Sequence, residues 1–161
     1  MAFRVTKTYG HERGFSTCFR QPQADSHCSQ LHGYALSIAL TFEAHKLLNH
    51  WVIDFGALKS AEGWLRETFD HTLLVSFDDP ERDLLETLGR RGIARVNVVH
   101  AIGCEAFALL IDNYVSLWLE ENRHSPRVRL AQVDVAEHGA NCASYVPPRP
   151  RPAHKLEGDR R

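Results

Sequence analysis

The run Ser26-His-Cys-Ser-Gln-Leu-His-Gly-Tyr34 sets a thiol and an imidazole four residues apart and leads straight into residues 36–42, where Leu36, Ile38, Leu40 and Phe42 alternate with smaller or polar residues. Alternation with a period of two is the pattern of a half-buried β-strand. The chain must therefore build a sheet, and Cys28 and His32 stand where one of its strands begins. Successive side chains on a strand point to opposite faces, so His32 and Tyr34 share a face, while Gly33 lets another backbone or a ligand come close. Such a layout makes a pocket wall. Taken alone, a small packed thiol and a satisfied turn histidine explain the pair better than a reactive centre does; the remaining chain has to decide.

Residues 2–9 and 15–20 read as one long strand interrupted at Gly10-His-Glu-Arg-Gly14, and residues 31–44 as the second strand, reached through the Pro22-containing loop 21–25. Residues 57–69 carry Leu58, Ala61, Leu65 and Phe69 at helical spacing, behind Asp54 as the residue that caps the first turn. Asp70 and His71 close that helix, the usual place for a histidine facing the helix dipole. Residues 72–77 are extended, a shorter helix follows Asp79-Pro80 with Leu84, Leu85 and Leu88 apolar and Gly89 near its stop, and residues 95–101 are extended again. The strongest helix is 105–119, whose broad apolar face (Phe107, Leu110, Ile111, Tyr114, Val115 and Trp118) must pack on the sheet. Strands at 127–135 and 143–145 complete the order.

A chain of 161 residues is long enough to bury a core without staples, and residues 1–146 read as a single domain followed by a proline-rich tail, 147–161, too polar to order itself. The formal charge of −1, with acids and bases interspersed, excludes a nucleic-acid footprint over the whole domain. The apolar runs are too short to span a bilayer. Cys18, Cys28, Cys104 and Cys142 form no CxxC pair and follow no secretory signal, so they read as reduced thiols of a cytoplasmic protein. Ten histidines are many for this length, but they are scattered.

In this order the motifs resemble those of the 6-pyruvoyl- and 6-carboxytetrahydropterin synthases. Cys28-Ser-Gln-Leu-His-Gly-Tyr34 is similar to the family's Cys-x-x-x-His-Gly-His, Trp51 to Lys59 to the segment leading into its first helix, and Phe69-Asp-His71 to its Asp-His pair. Gly103-Cys-Glu105 takes the position of its Thr-x-Glu, and Glu137 that of its pterin-anchoring glutamate. The resemblance implies an α+β T-fold: an antiparallel four-stranded sheet with two helices on one face, assembling into a homo-oligomeric barrel, usually a dimer of trimers, with pockets between subunits. It also implies lyase chemistry on dihydroneopterin triphosphate or a related pterin. Cys28 would be the base, Asp70 and His71 the proton relay, and Glu137, with Cys104 and Glu105, the pterin-binding group. The chemistry agrees, since a thiol near an imidazole can supply a base near neutrality and a carboxylate offers two acceptors to a donor-donor ring edge.

The family's zinc, held by three histidines, is where this chain departs. The first ligand position is Phe19 and the third is Tyr34, so His32 alone remains. Catalytic zinc takes about three protein ligands, which His11, His27 or Cys18 would have to supply. Two readings stay open: a pterin-synthase-like lyase, or a metal-free pterin- or purine-binding homologue without that activity.

Overall fold

A computed structural model describes residues 1–148. All but the first two residues of the proline-rich tail lie outside the described residues.

The longest strand, β3 (His32–Ala44), carries the sheet. Its first half pairs antiparallel with β2 (Phe15–Phe19) and its second half with β1 (Phe3–Tyr9), so the two pieces of the interrupted strand line one edge of β3 in succession. Its other edge pairs antiparallel with β6 (Val128–His138), which pairs with β7 (Asn141–Tyr145). Strands β1, β3, β6 and β7 thus make the antiparallel four-stranded unit.

Four strands are not the whole sheet, which corrects the expectation from sequence. Beyond β2 the sheet continues through β4 (Thr72–Ser76), parallel to β2, and β5 (Val96–Val99), parallel to β4, giving seven strands in a mixed sheet. The reason is in β4, Thr-Leu-Leu-Val-Ser, whose five residues are all buried. A strand apolar on both faces needs cover on both, the habit of parallel strands. Leu74 faces the main core, whereas Leu73 and Val75 pack with Leu85 in a second cluster that includes Cys18, Leu88 and Val98. Leu85 and Leu88 belong to α2 (Arg82–Arg90), so this helix covers the opposite face from the other two.

Those two, α1 (Lys59–Phe69) and α3 (Cys104–Glu121), pack as expected on one face. Ala61, Leu65 and Phe69 of α1 and Phe107, Ile111 and Val115 of α3 meet Phe15, Phe19, Leu36, Ile38 and Phe42 of the sheet, all fully buried. Burying each large side chain contributes roughly 1.5–3 kcal/mol. Trp118 adds a bond from its indole N–H to Ser60 Oγ at 2.8 Å, tying the helices together. No described helix is long and apolar enough to cross a membrane.

Candidate functional site

The lower end of β3 builds the site. Phe19 and His32 are direct cross-strand partners and Tyr34 lies two residues further along the same face. Their rings are in contact: centroids are 5.0 Å apart for Phe19 and His32, 6.0 Å for Phe19 and Tyr34, and 5.5 Å for His32 and Tyr34, the last nearly perpendicular at 85°. Edge-to-face geometry of this kind stabilises aromatic clusters beyond their buried area. Phe19 also packs edge-on against Phe107 of α3 at 5.4 Å, linking the cluster to the core. Gly33, between His32 and Tyr34 in the strand, leaves room for β2: a Cβ there would sit 2.9 Å from the Thr17 carbonyl oxygen.

Around Tyr34 the fold gathers Cys28, Cys104 and Glu137, three groups that are far apart in the chain. Burial, then Glu137, Cys28 and Cys104, push the Tyr34 phenol above its ordinary value, so the hydroxyl keeps its proton. Cys104 is the first residue of α3 and is buried; burial, then the charges of Glu137 and Glu105, push its thiol up to about 12. The Glu137 backbone N–H hydrogen-bonds the Cys104 sulfur and opposes part of that rise. Glu105 is exposed beside it on the first turn. Cys28 lies in the short turn His27–Ser29, capped by Ser26, whose Oγ accepts from the Cys28 N–H at 3.3 Å. Its carbonyl accepts from Gln21 N–H at 2.8 Å. Arg20 makes a two-pronged bond to buried Asp79, at 2.9 and 3.1 Å, and donates to the Ser29 carbonyl, so this turn is held from both sides.

Glu137 owes its direction to an irregularity. Ala136 faces Cys142 and His138 faces Asn141 in the β6–β7 pairing, which leaves Glu137 as the extra residue of a β-bulge. Bulges of this type re-aim a side chain. His138, which sequence reasoning passed over, closes the far side with its ring 6.0 Å from Tyr34. Its Nδ1 accepts from the Ala140 N–H at 3.2 Å and its Nε2 lies 3.3 Å from the Asn141 side-chain nitrogen, so both ring nitrogens are taken up in the hairpin. The only signal in the sequence is its place next to Glu137 and one residue before Gly139.

Asp70 and His71 lie elsewhere. His71, just past α1, has a positive φ of 54°, a conformation few side chains adopt. One carboxylate oxygen of Asp70 accepts from the Ser16 N–H at 3.0 Å and from His71 Nδ1 at 2.9 Å, so the pair is braced against β2. A His71 Nδ1–H donor leaves Nε2 directed outward, and the His71 side chain is 84 % exposed. It lines a cavity of about 580 Å³ with Ser16, Cys18, Gly33, Tyr34, Thr72 and Arg95. Cys28 is not among the groups lining this cavity. Within one subunit, then, the fold groups Cys28, Glu137 and Cys104 around Tyr34, and of these four only Tyr34 also lines the cavity of His71.

The donor set does not fit the family's zinc. At the three ligand positions stand a buried hydrocarbon ring, one imidazole and a phenol held in its protonated form. His32 Nδ1 donates to the Gln30 carbonyl at 2.7 Å, leaving a single free nitrogen. His11 is bonded to the Ala35 carbonyl at 2.7 Å, Cys18 belongs to the α2 side of the sheet, and His27 lies in the turn before Ser29. Among the described residues no three His, Cys, Asp or Glu side chains converge on a point that could hold a metal ion.

Known proteins agree with this architecture. The sequence profile of the family described as 6-pyruvoyl tetrahydropterin synthase matches residues 9–148. A 6-carboxy-5,6,7,8-tetrahydropterin synthase of Rickettsia felis is 44% identical over 57 residues, a match covering 34% of this chain and 41% of that protein, so the chain matches well under half the length of this curated relative. An uncharacterized protein from Wolinella succinogenes superposes with a TM-score of 0.74 at 16% identity, covering 91% of this chain and 98% of that one. The 6-pyruvoyl tetrahydropterin synthase of Plasmodium vivax superposes with a TM-score of 0.64 at 15% identity, over 90% and 97% of the two chains. At those identities the likeness speaks for the fold. With most of its length under the profile, from the end of β1 to the end of the described residues, this chain belongs to the 6-pyruvoyl tetrahydropterin synthase family.

Proposed function

We propose that the protein binds a pterin at the group formed by Cys28, Tyr34, Cys104 and Glu137 and carries out lyase-type proton-transfer chemistry on the pterin's side chain. The observation that carries this reading is the bulge that turns Glu137 toward Tyr34 and Cys104. An ionised carboxylate accepts from two adjacent N–H donors at once, the pattern offered by the amide and amine edge of a pterin. Cys104, protonated and buried, supports the ring region without competing as a base. Cys28, whose charge is felt at Tyr34, is the thiol assigned in this reading to withdraw a proton from the pterin's side chain.

The proton must be returned by another group, and His71, exposed and fixed by Asp70, lines a cavity that Cys28 does not. The reading therefore includes a homo-oligomer in which His71 of a second copy completes the pocket. The outer edges of β1 and β7 support it, because each ends the antiparallel unit with unpaired backbone groups that proteins usually cover or pair. Dihydroneopterin triphosphate is the first substrate to try, with unphosphorylated dihydropterins beside it. Binding without elimination is the second reading, favoured by one observation: the three zinc-ligand positions hold only one imidazole.

Calorimetry and turnover test the proposal together. Glu137→Gln exchanges one acceptor for a donor at the ring edge, and losing a charge-assisted hydrogen bond costs about 1.5–3 kcal/mol, so pterin affinity should fall by about 10- to 100-fold. Equal affinity of the two proteins would remove Glu137 from the site. In deuterated water, a bound dihydropterin should exchange its side-chain proton with wild type and not with Cys28→Ala. Exchange that survives in Cys28→Ala would leave the binding reading and end the catalytic one.

A further inference from the structure

The ring cluster that replaces the metal site is built, not merely vacant of ligands. Phe19, fully buried and wedged against Phe107, forms its floor, and His138, both nitrogens held in the hairpin, forms a wall. Two polar atoms are left over. The Nδ1–H of His32 donates to the Gln30 carbonyl, so Nε2 of the neutral ring carries a lone pair and accepts. The Tyr34 hydroxyl, on a ring perpendicular to that of His32 with centroids 5.5 Å apart, is a donor. An acceptor and a donor carried on two contacting rings are the complement of an alcohol, which gives one hydrogen bond and takes another.

We infer that His32 and Tyr34 form a metal-independent subsite that grips a hydroxyl group on the pterin's side chain, the imidazole accepting from it and the phenol donating to it. This rests on the pterin reading of Glu137. It differs in what it asks of the ligand: a metal ion would favour two oxygens chelating it, whereas this pair discriminates hydroxylated from unhydroxylated substituents and works with no metal present. Selectivity of this kind is characteristic of sites built to bond a hydroxyl, because an analogue that lacks it leaves polar groups unpaired.

The test compares 7,8-dihydroneopterin, whose side chain carries three hydroxyls, with 6-methyl-7,8-dihydropterin, the same ring without them, by calorimetry in excess EDTA. Wild type should prefer dihydroneopterin by about tenfold or more, the value of one to two neutral hydrogen bonds, and adding zinc in place of EDTA should leave its affinity unchanged. Tyr34→Phe keeps the ring packing and should lower the affinity for dihydroneopterin by about tenfold more than that for the methyl compound, erasing most of the preference; a thermal melt like that of wild type reports an intact fold. A preference that persists in Tyr34→Phe, an equal loss for both ligands, or an affinity that zinc raises tenfold would each overturn the inference. If both ligands bind wild type equally but Glu137→Gln loses both, the ring reading stands and the subsite falls. If neither ligand binds wild type, the pterin reading falls and takes the subsite with it.

Discussion

Acid should loosen the sheet at Glu43, and the loss can be worked out from its partners. Glu43 lies on β3 directly opposite Arg4 of β1 and Arg129 of β6, and is 4% exposed. Arg4 Nε donates to one carboxylate oxygen at 2.7 Å, and Arg129 donates to the other from Nη2 at 2.7 Å and Nε at 2.9 Å. The hydrogen bond from Arg4, aided by those from Arg129 and opposed by burial, lowers the carboxyl from 4.5 to about 2. A tenfold change in proton affinity is worth about 1.4 kcal/mol, which makes the triple worth up to about 3 kcal/mol. Arg4 is half-exposed and its share is screened, so about 2 kcal/mol is the working figure. Because the folded carboxyl is the stronger acid, this stability is complete above the unfolded value of 4.5 and is lost as pH falls from there through about 2. Urea unfolding at pH 7 should find Glu43→Gln about 2 kcal/mol less stable than wild type, and the gap should close as the pH is lowered below 4.5. A gap of constant size down to the acid limit would refute the reasoning, since it would show that the lost stability does not come from the ionised carboxylate.

Three further outcomes follow from the site. Cys104 is buried and its thiol is pushed up to about 12, while burial also raises Cys18 and Cys142; iodoacetamide labelling followed by mass spectrometry should therefore modify Cys28 first and Cys104 last in the folded protein, and uniform labelling would take away Cys28's catalytic role. His71→Gly relieves a positive φ that glycine adopts freely, so thermal unfolding should report a gain of about 1 kcal/mol together with loss of any proton exchange on bound dihydropterin; a loss of stability would mean that the bond to Asp70 outweighs the backbone strain. Light scattering at micromolar concentration should report several subunits, and a stable monomer would remove the second copy's His71 from the pocket.

What the chain discloses unaided is whatever depends on neighbours in sequence. Residues 31–44 and 105–119, read from periodicity, match β3 and α3 to within two residues at either end, because each buries a single stripe and nothing distant alters its pattern. Asp54 was legible as a cap for the same reason, although what it caps is the 3-10 turn Phe55–Leu58 that leads into α1, its Oδ1 accepting from the Gly56 N–H at 2.8 Å. Pairing partners are another matter. Nothing in Thr72–Ser76 says that it lies parallel to β2, since strand order depends on what each face is offered by distant elements, here α2 on one side and the main core on the other. Leu84, Leu85 and Leu88 marked α2 as amphipathic without marking which face of the sheet it covers. In the site, Glu137 was visible through its family position, but the bulge that aims it depends on the register of β7, and His138 carried no pattern of its own. The departure at Phe19 and Tyr34 was plain as a loss of ligands; that the replacements form a contacting set of rings became visible only once β2 and β3 were side by side.

The position of β3 also sets a problem for the chain during synthesis. One of its edges is satisfied early, by β1 and β2, which precede it, but its other edge waits for β6, about 90 residues further on. At a translation rate of roughly 5–20 residues per second, the strand stands half-paired for about 5–20 s on the ribosome, with Leu36, Ile38, Leu40 and Phe42 awaiting α3 for nearly as long. Hydrophobic surface beside an open strand edge is what aggregates and what chaperones hold. Because the interval lengthens as translation slows, a pause placed between β3 and β6 should lower the yield of folded protein, and a holdase supplied from the moment β3 emerges should restore it.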